Sequence, residues 1–293
     1  MTSVKERAYA KINLFLDVLT KREDGFHEIN TVMHTVSLCD EITVSILSKG
    51  HRGVRLCLDG NKKLPTDGKN LAYSAAKLFL DRAMIDCEVG IKLVKRIPVA
   101  AGLAGGSTDA AAVLRAMNKL FSKPLSDKVL LELASTLGSD VPYCLLGGTA
   151  LCSGRGEKIR RLNSNIRLHA VVAVANEYVS TPKAYAALDA LYSDFDGSVA
   201  KNEADRLNLL LSRLSEGAIG KDCLYNVFEA AVLPTCSGAS ALKCRLEALD
   251  AYAVLMSGSG PSVFGLFDDL SAAERAASAL KAEGFDAFVA CTV

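Results

Sequence analysis

The sequence predicts an α+β protein of two domains. At 293 residues, half of them hydrophobic, the chain has room for about two cores, since domains usually span ~100–200 residues. Strand-like and helix-like segments are mixed along its whole length, without a repeat. A glycine-rich stretch after Asp140 ends in the basic cluster "RGEKIRRL". We place the boundary there, which gives domains at 1–163 and 164–293.

The first elements are predicted to be strands. From Ala10 to Val18 every second residue is apolar, as in a strand with one face in a core. Lys11 and Asn13 fall together on the other face. "REDGFHE" then supplies an Asp-Gly turn signal, and "INTVMHTVSLCDEITVSIL" indicates strands again.

Helices and strands alternate in the following segment. "NLAYSAAKLFLDRAM" is helix-like with Asn70 as N-cap, and "EVGIKLVKRI" returns to a strand. A glycine loop follows, and then a helix to about Leu120. Ser126 is expected to begin another helix, which Gly138 ends.

The second half repeats this mixture of elements. "LHAVVAVAN" is predicted to be a strand, and helical segments continue to about Leu249. The strands "AYAVLM" and "SVFGLF" flank a tight "SGSGP" connection. The helix "SAAERAASALKAEG" and the strand "DAFVACTV" complete the chain. Largely antiparallel sheets are therefore expected in both domains.

Composition excludes several classes of function. Lys plus Arg number 34 and Asp plus Glu number 33, so the chain lacks the basic excess of a nucleic-acid or anionic-membrane binder. No apolar run approaches the ~20 residues that span a bilayer, and the N-terminus lacks a secretory pattern. The nine cysteines form no Cys-x-x-Cys pair, and the four histidines have no metal-ligand spacing. We expect a soluble, cytoplasmic protein with reduced cysteines and no all-protein metal site.

The loop "RIPVAAGLAGGSTDAAAVL" is the strongest local indication of a ligand. Gly102, Gly105 and Gly106 remove side chains just before Ser107 and Thr108, which suit the first turn of a helix. Free backbone N–H groups at a helix start bind phosphate well. Neither the Walker pattern nor G-x-G-x-x-G is present. Close helix packing or a simple turn explains the glycines equally well on this pattern alone.

Several motifs together resemble the GHMP kinases. "PVAAGLAGGSTDAAA" is similar to their ATP phosphate loop, and "LMSGSGPSVFGLF" to their third, C-terminal glycine motif. "AYAKINLFLDVLTKREDGFHEINTVM" resembles the members that phosphorylate a cytidine diphosphate derivative of methylerythritol on its 2-hydroxyl. "LGSDVPYCLLGGTALCSGRGE" and "EYVSTPKAY" also match in order, so the resemblance covers essentially the whole chain.

The resemblance implies a fold and an ATP site. The expected domains are an N-terminal domain like ribosomal S5 domain 2 and a C-terminal ferredoxin-like domain. ATP is the implied co-substrate, carried with Mg²⁺. The residues that match its binding loop are Pro98, Val99, Ala100, Ala101, Gly102, Leu103, Ala104, Gly105, Gly106, Ser107 and Thr108.

The resemblance also implies the catalytic residues. Asp140 in "LGSDVP" matches the family's catalytic aspartate, although the sequence alone favours a helix-capping role for it. Lys11 matches the catalytic lysine, which would hold Asp140 ionised and steady the hydroxyl or the γ-phosphate. A solvated strand lysine is the alternative for Lys11. Asn13 would complete the acceptor site.

Four further matches concern the cytidine end of the substrate. Phe26 and His27 match an aromatic-histidine pair that lies against cytosine and hydrogen-bonds it, and Tyr185 matches the opposing aromatic ring. Thr181 is expected to hold the substrate near the same wall. A buried Phe and a satisfied turn His are the alternatives. Relatives often carry tyrosine where this chain has Phe26.

Two motifs and the function itself each allow more than one interpretation from the sequence. "SGSGP", Ser257 to Pro261, supports the loops or is only a hairpin turn, and Ser107 contacts Mg²⁺ or only begins a helix. Another GHMP-type kinase and a nucleotide-binding regulator without catalysis remain alternatives; a nucleic-acid module is weaker because the charge is balanced. No membrane partner is expected, and the protein is a monomer or a homodimer.

Overall fold

The computed structural model describes residues 2–59, 64–192 and 200–293. The strands of the described residues are β1 (Ser3–Lys21), β2 (His27–Lys49), β3 (Gly53–Asp59), β4 (Cys87–Val94), β5 (Thr149–Gly154), β6 (Lys158–Arg161), β7 (His169–Val174), β8 (Tyr225–Asn226), β9 (Ala253–Met256), β10 (Ser262–Phe267) and β11 (Asp286–Cys291). The helices are α1 (Leu71–Arg82), α2 (Gly105–Leu120), α3 (Asp127–Leu137), α4 (Val141–Leu146), α5 (Thr181–Leu191), α6 (Ala200–Glu216), α7 (Phe228–Val232), α8 (Ser237–Ala248) and α9 (Leu270–Ala282). Short 3₁₀ turns flank α7 at Lys221–Cys223 and Leu233–Thr235.

The chain divides into two compact units that interleave along the sequence. The first comprises the described residues of Met1–Ala10, Cys39–Val99 and Ala104–Gly147, and the second those of Lys11–Leu38, Ala100–Leu103 and Gly148–Val293. The sequence predicts one boundary near Asn163, whereas each of these units is built from three separate segments. The predicted domain limits stay a prediction.

In the first unit, helices pack beside the strand order β3-β4-β2. Helix α2 contacts α1, α3 and α4, and nearly all its residues from Thr108 onward are buried. Its alanines let these neighbours approach closely, because a methyl side chain takes little space between helix axes. Such a helix is held on several sides, which fixes the position of its first turn.

The second unit contains a four-stranded antiparallel sheet in the order β11-β7-β10-β9. Val171 of β7 pairs with Gly265 of β10 and with Val289 of β11. Helices α8 and α9 pack on this sheet. In the same unit, β5 pairs with β2, and Phe15 of β1 pairs in parallel with Tyr225 of β8.

Most predicted elements are confirmed at the predicted places. Asn70 and Ser126 cap α1 and α3 through their side chains, and Gly138 ends α3. Strand β3 was not predicted, and it pairs in parallel with β4, as β8 does with β1. These parallel pairs join segments that are distant in sequence or separated by a crossover, which local patterns do not reveal.

The cysteines are unpaired, and the helices are too short or too polar to span a membrane within the described residues. All nine cysteines are free; Cys144 is among the five buried ones, whereas Cys57 and Cys244 are exposed. Among the described helices, none combines the length and apolar character needed to cross a bilayer.

Candidate active site

The first turn of α2, in the first unit, has unpaired backbone donors. Its first intrahelical hydrogen bond runs from Thr108 N to Ala104 O, at 2.9 Å. The N–H groups of Gly105, Gly106 and Ser107 have no partner among the described residues of this unit, and Ala104 caps the helix without a side-chain bond. Ala104 itself is left-handed, at φ 57°. Three free N–H groups and the positive end of the helix dipole favour an anion here.

A buried ionic cluster fixes both sides of this turn. Lys95 Nζ lies 2.5 Å from Asp40 Oδ2 and 2.7 Å from Asp109 Oδ2 in α2. Asp40 Oδ1 accepts the backbone N–H groups of Arg96 and Ile97, at 2.5 and 2.7 Å. The three charged side chains are at most 4% exposed. Strand end and helix start are therefore tied to one carboxylate-ammonium network.

The charge on this cluster is set mainly by burial. Burial raises the pKa of the Asp109 carboxyl well above its usual value, Lys95 opposes this shift, and the nearby Asp40 carboxylate adds to it. Asp109 Oδ1 is buried without a hydrogen-bond partner among the described residues. Burial therefore favours the protonated form of Asp109 more than it would for a solvent-exposed aspartate.

Not every residue of the predicted ATP loop offers a free group. The Thr108 hydroxyl donates to Tyr9 O at 2.7 Å, and its N–H is used within the helix. Ala101 and Leu103 are buried, so their side chains are not available to a ligand. Direct phosphate contacts from Thr108 would require one of these bonds to break, and its ATP-binding role stays a prediction.

Gly106→Ala is expected to weaken ATP binding roughly 10–100-fold while leaving the melting temperature unchanged. A Cβ at Gly106 meets only Leu71 Cδ1, at 3.7 Å, so the free protein accommodates it. The methyl would occupy the place where phosphate oxygens approach the free N–H groups. Losing one such charge-assisted hydrogen bond costs ~1.5–3 kcal/mol. Calorimetric titration with ATP measures the effect.

Gly105→Ala is the contrasting variant. Its Cβ would lie 3.0 Å from Lys95 Nζ and 3.1 Å from Ile97 Cγ2, so we expect lower stability as well. Unchanged ATP affinity in folded Gly106→Ala would mean that the glycines serve packing only.

Lys11 lies in a buried polar cluster of the second unit. Its ammonium donates to Asn13 Oδ1 at 2.6 Å and to Gly102 O at 2.8 Å. Asn13 Nδ2 donates to Thr31 Oγ1, whose hydroxyl donates to Phe15 O. Lys11 is 4% exposed, which excludes the solvated strand lysine. The predicted placement of Lys11 and Asn13 on one face of the strand is confirmed.

The "SGSGP" turn connects β9 and β10 and also packs against this cluster. Ser257 Oγ donates to Gly102 O at 3.2 Å, and a Cβ at Gly102 would lie 2.2 Å from Ser257 O. Gly102 has φ 75°, which a side chain would strain. Asn226 Nδ2 holds the turn by donating to Gly258 O at 2.8 Å. Within this unit the turn is therefore both a connection between two strands and a support for Gly102 of the glycine loop.

Asp140, in the first unit, immediately precedes α4. It stands at the N-cap position, but its side chain makes no capping hydrogen bond. The side-chain capping interpretation that the sequence alone favours is therefore wrong, because the backbone at Asp140 is helical, at φ −83° and ψ −17°. The Asp140 residue is half-buried.

His27 is held by charged and aromatic neighbours in the second unit. Its Nε2 lies 2.7 Å from Asp189 Oδ1, and Lys21 Nζ lies 2.7 Å from Asp189 Oδ2. The Tyr185 ring stacks on the imidazole, with centroids 4.7 Å apart, and meets Phe228 edge-on. Tyr185 thus already stacks within the protein, and whether it also stacks on a base stays a prediction.

Phe26 and Thr181 differ in their surroundings. Phe26 is 53% exposed with the Arg155 guanidinium 4.7 Å from its ring centroid, so it is not a core side chain. An aromatic ring this exposed can stack on a flat ligand. Thr181 Oγ1 lies 2.9 Å from Ser259 Oγ, which ties the start of α5 to the glycine turn.

Sequence reasoning missed several residues of these sites. Asp189, Asn226 and the partners Asp40 and Lys95 are single polar residues within ordinary helix or strand patterns. Asp189, Asn226 and Asp40 have partners 162, 30 and 55 positions away, and Lys95 also contacts Asp109, 14 positions away. No local spacing signals such contacts.

Comparison with known proteins identifies the family. Residues 70–148 match the model described as GHMP kinases N terminal domain, and residues 203–286 match GHMP kinases C terminal. The 4-diphosphocytidyl-2-C-methyl-D-erythritol kinase of Caldicellulosiruptor bescii is 41% identical over 280 residues, covering 95% of this chain and 94% of the relative. That of Caldicellulosiruptor saccharolyticus is 42% identical over 277 residues, covering 94% and 92%.

A solved structure agrees with these relatives. The crystal structure of a 4-(cytidine 5'-diphospho)-2C-methyl-D-erythritol kinase matches with a TM-score of 0.81 and 35% identity, covering 99% of this chain and 100% of that one. The predicted two-domain GHMP kinase fold is confirmed. The chain belongs to the GHMP kinases, and within them to the 4-diphosphocytidyl-2-C-methyl-D-erythritol kinases.

Proposed function

We propose that this chain transfers the γ-phosphoryl group of ATP to the 2-hydroxyl of 4-diphosphocytidyl-2-C-methyl-D-erythritol, a step in the non-mevalonate route to isoprenoid precursors. The observation that carries this assignment is the buried ammonium of Lys11, fixed by Asn13 Oδ1 and Gly102 O at 2.6 and 2.8 Å. A lysine ammonium fixed by two short hydrogen bonds in a nearly closed polar cluster holds a positive charge in one defined place, as transfer of a phosphoryl group requires.

The first turn of α2 supports the ATP half of the reaction. The free N–H groups of Gly105, Gly106 and Ser107 suit phosphate oxygens, since they need no rearrangement to donate. The cluster around Lys95 keeps this turn in place before ATP arrives. Preorganised donors are the main requirement of phosphoryl transfer, where the protein positions and neutralises the transferred group.

Asp140 is the proposed base. The acceptor is a tertiary alcohol, which is crowded and weakly acidic, so a positioned carboxylate should accelerate loss of its proton. Asp140 has a carboxylate that does not serve as a helix cap. Lys11 would steady the developing charge on the hydroxyl or the γ-phosphate.

Magnesium would accompany the ATP and offset charge on the β- and γ-phosphates. No group of three or more His, Cys, Asp or Glu side chains among residues 2–59, 64–192 and 200–293 forms a metal cage. The oxygen donor that fits best is the Ser107 hydroxyl in the first turn of α2, beside the free N–H groups. An ion held mostly by phosphate and water agrees with this donor set.

The exposed Phe26 ring and the fixed imidazole of His27 support recognition of the cytidine end. Stacking of a base on an aromatic ring is worth ~1–3 kcal/mol and tolerates any base, whereas an imidazole edge can choose between bases. Thr181, bonded to Ser259, would hold the substrate nearby. A co-substrate such as ATP is consistent with action in the cytoplasm, which we infer as the location.

A coupled ADP-release assay tests the assignment. The purified chain receives MgATP with the cytidine substrate, with homoserine, with mevalonate, or with no acceptor. We expect ADP only with the cytidine substrate. Faster release with another alcohol would indicate a different GHMP-type kinase, and ATP binding without release on any acceptor would indicate a regulator.

A further inference from the structure

The imidazole of His27 is fixed from two directions. Asp189, in α5, faces its Nε2 at 2.7 Å, and Tyr185, one turn earlier in the same helix, covers one ring face. Lys21, the last residue of β1, holds the other oxygen of Asp189 at 2.7 Å. The His27 side chain is only 7% exposed, so it cannot turn freely away from this carboxylate.

The carboxylate decides which nitrogen carries the proton. Burial alone would raise the pKa of the Asp189 carboxyl, but its hydrogen bonds with Lys21 and His27 outweigh this and hold the pKa below its usual value. An ionised carboxylate only accepts hydrogen bonds, so Nε2 must donate. In the neutral imidazole, Nδ1 is then an acceptor, and it has no partner among the described residues.

An acceptor at Nδ1 distinguishes the two common pyrimidines. Cytosine presents an exocyclic amine, which donates, where uracil presents a carbonyl oxygen, which only accepts. An imidazole lone pair bonds the amine and repels the oxygen. With the other tautomer, the N–H at Nδ1 would suit the uracil oxygen instead.

We propose that Asp189 is the positioning residue that sets base preference, because it holds His27 in the tautomer whose free nitrogen accepts a hydrogen bond from the cytosine amine. This assignment rests on the proposed function, in which His27 contacts the base. Asp189 acts through His27 and touches no reacting atom. Lys21 pairs with the other oxygen of Asp189, and the bond between Asp189 and His27 does not depend on that pair.

If the ion pair between Lys21 and Asp189 had only a structural role, the expected results would differ. If the ion pair merely joins the end of β1 to α5, breaking it through Lys21 should matter as much as changing Asp189. Lys21→Met is therefore the matched control, since it removes the same ion pair and leaves the bond between Asp189 and His27. The Lys21 side chain is 60% exposed, so the substitution should be tolerated by the fold.

The test combines nitrogen-15 NMR of His27 with kcat/KM for the cytidine substrate and its uridine analogue, in the native chain, Asp189→Asn and Lys21→Met. At about pH 8.5, well above the ordinary titration of histidine, the native chain should show a protonated Nε2 and a bare Nδ1. Asp189→Asn should mix the tautomers and lower the cytidine-to-uridine ratio about tenfold through KM, as expected for one lost neutral hydrogen bond. Lys21→Met should keep both the tautomer and the ratio. His27→Ala serves as a reference, because it gives the cytidine-to-uridine ratio of kcat/KM in the absence of an imidazole.

Several results would overturn the assignment. A native chain with the proton on Nδ1 contradicts it without any variant. It is also contradicted if Asp189→Asn has a native-like melting temperature and keeps the cytidine-to-uridine ratio. A loss of that ratio in Lys21→Met as large as in Asp189→Asn would contradict it as well. If the native chain does not phosphorylate the cytidine substrate, the proposed function fails, while the NMR comparison still decides whether Asp189 sets the tautomer.

Discussion

Asp140→Asn is expected to lower kcat by roughly 10²–10⁴-fold while leaving the Kd for ATP unchanged, as for the loss of a general base. The amide has the size of the carboxylate but cannot take a proton from the acceptor hydroxyl. The Asp140 side chain makes no capping hydrogen bond to α4, so the substitution removes no such bond from that helix. Rapid-quench measurement of a single turnover separates this chemical step from product release.

Asp269, whose side chain does cap a helix, provides a control with the opposite expected effects. Asp269 accepts Ala272 N at 2.8 Å at the start of α9. Asp269→Ala should cost ~0.5–2 kcal/mol of stability with normal kcat. Asp140→Ala should lower kcat and leave the stability close to native. If Asp140→Ala instead lowered the melting temperature and left turnover normal, Asp140 would have a structural role only.

Lys11→Met is expected to lower kcat by about 10²–10³-fold, the usual cost of losing one charged or polar group that stabilises a transition state. Methionine fills the volume of the lysine stem but supplies no charge to a developing oxyanion or to the γ-phosphate. It also leaves Asn13 Oδ1 and Gly102 O without the ammonium they now share, at 2.6 and 2.8 Å. Some loss of stability, ~1–3 kcal/mol, should accompany the kinetic effect.

Lys5→Met controls for this substitution on the same strand. Lys5 pairs with Glu41 and its side chain is 64% exposed, so we expect kcat and stability close to native. A double-mutant cycle between Lys11→Met and Asp140→Asn then asks whether the two residues act together. Strictly additive effects on kcat would argue that Lys11 and Asp140 do not serve the same step.

Features that depend on residues close together in the sequence can be predicted from it, and features that depend on distant residues cannot. The alternation from Ala10 to Val18 places Lys11 and Asn13 correctly, because strand periodicity is a local property. Asn70 and Ser126 are recognisable as caps for the same reason. The start of α2 at Gly105, two residues before Ser107, depends on a left-handed Ala104 that no local preference favours.

Contacts between distant segments are not visible in local patterns. The partnership of His27 with Asp189 and the burial of Lys95 between Asp40 and Asp109 arise only when helices and strands pack. The helix-like segment around Asp189 would tolerate many residues by pattern alone. Tyr185 shows the limit most clearly, because its aromatic character was recognised while its stacking partner within the protein was not.

The position of the new phosphate tests the central claim most directly. The 2-carbon of the methylerythritol group carries a methyl and no hydrogen, so a phosphate ester there has no three-bond coupling to a carbinol proton. Proton-coupled phosphorus-31 NMR of the product formed from ATP and the cytidine substrate should show one new unsplit phosphomonoester signal alongside ADP. A phosphomonoester signal split by carbinol protons, or ADP with no new ester, would contradict the proposed reaction.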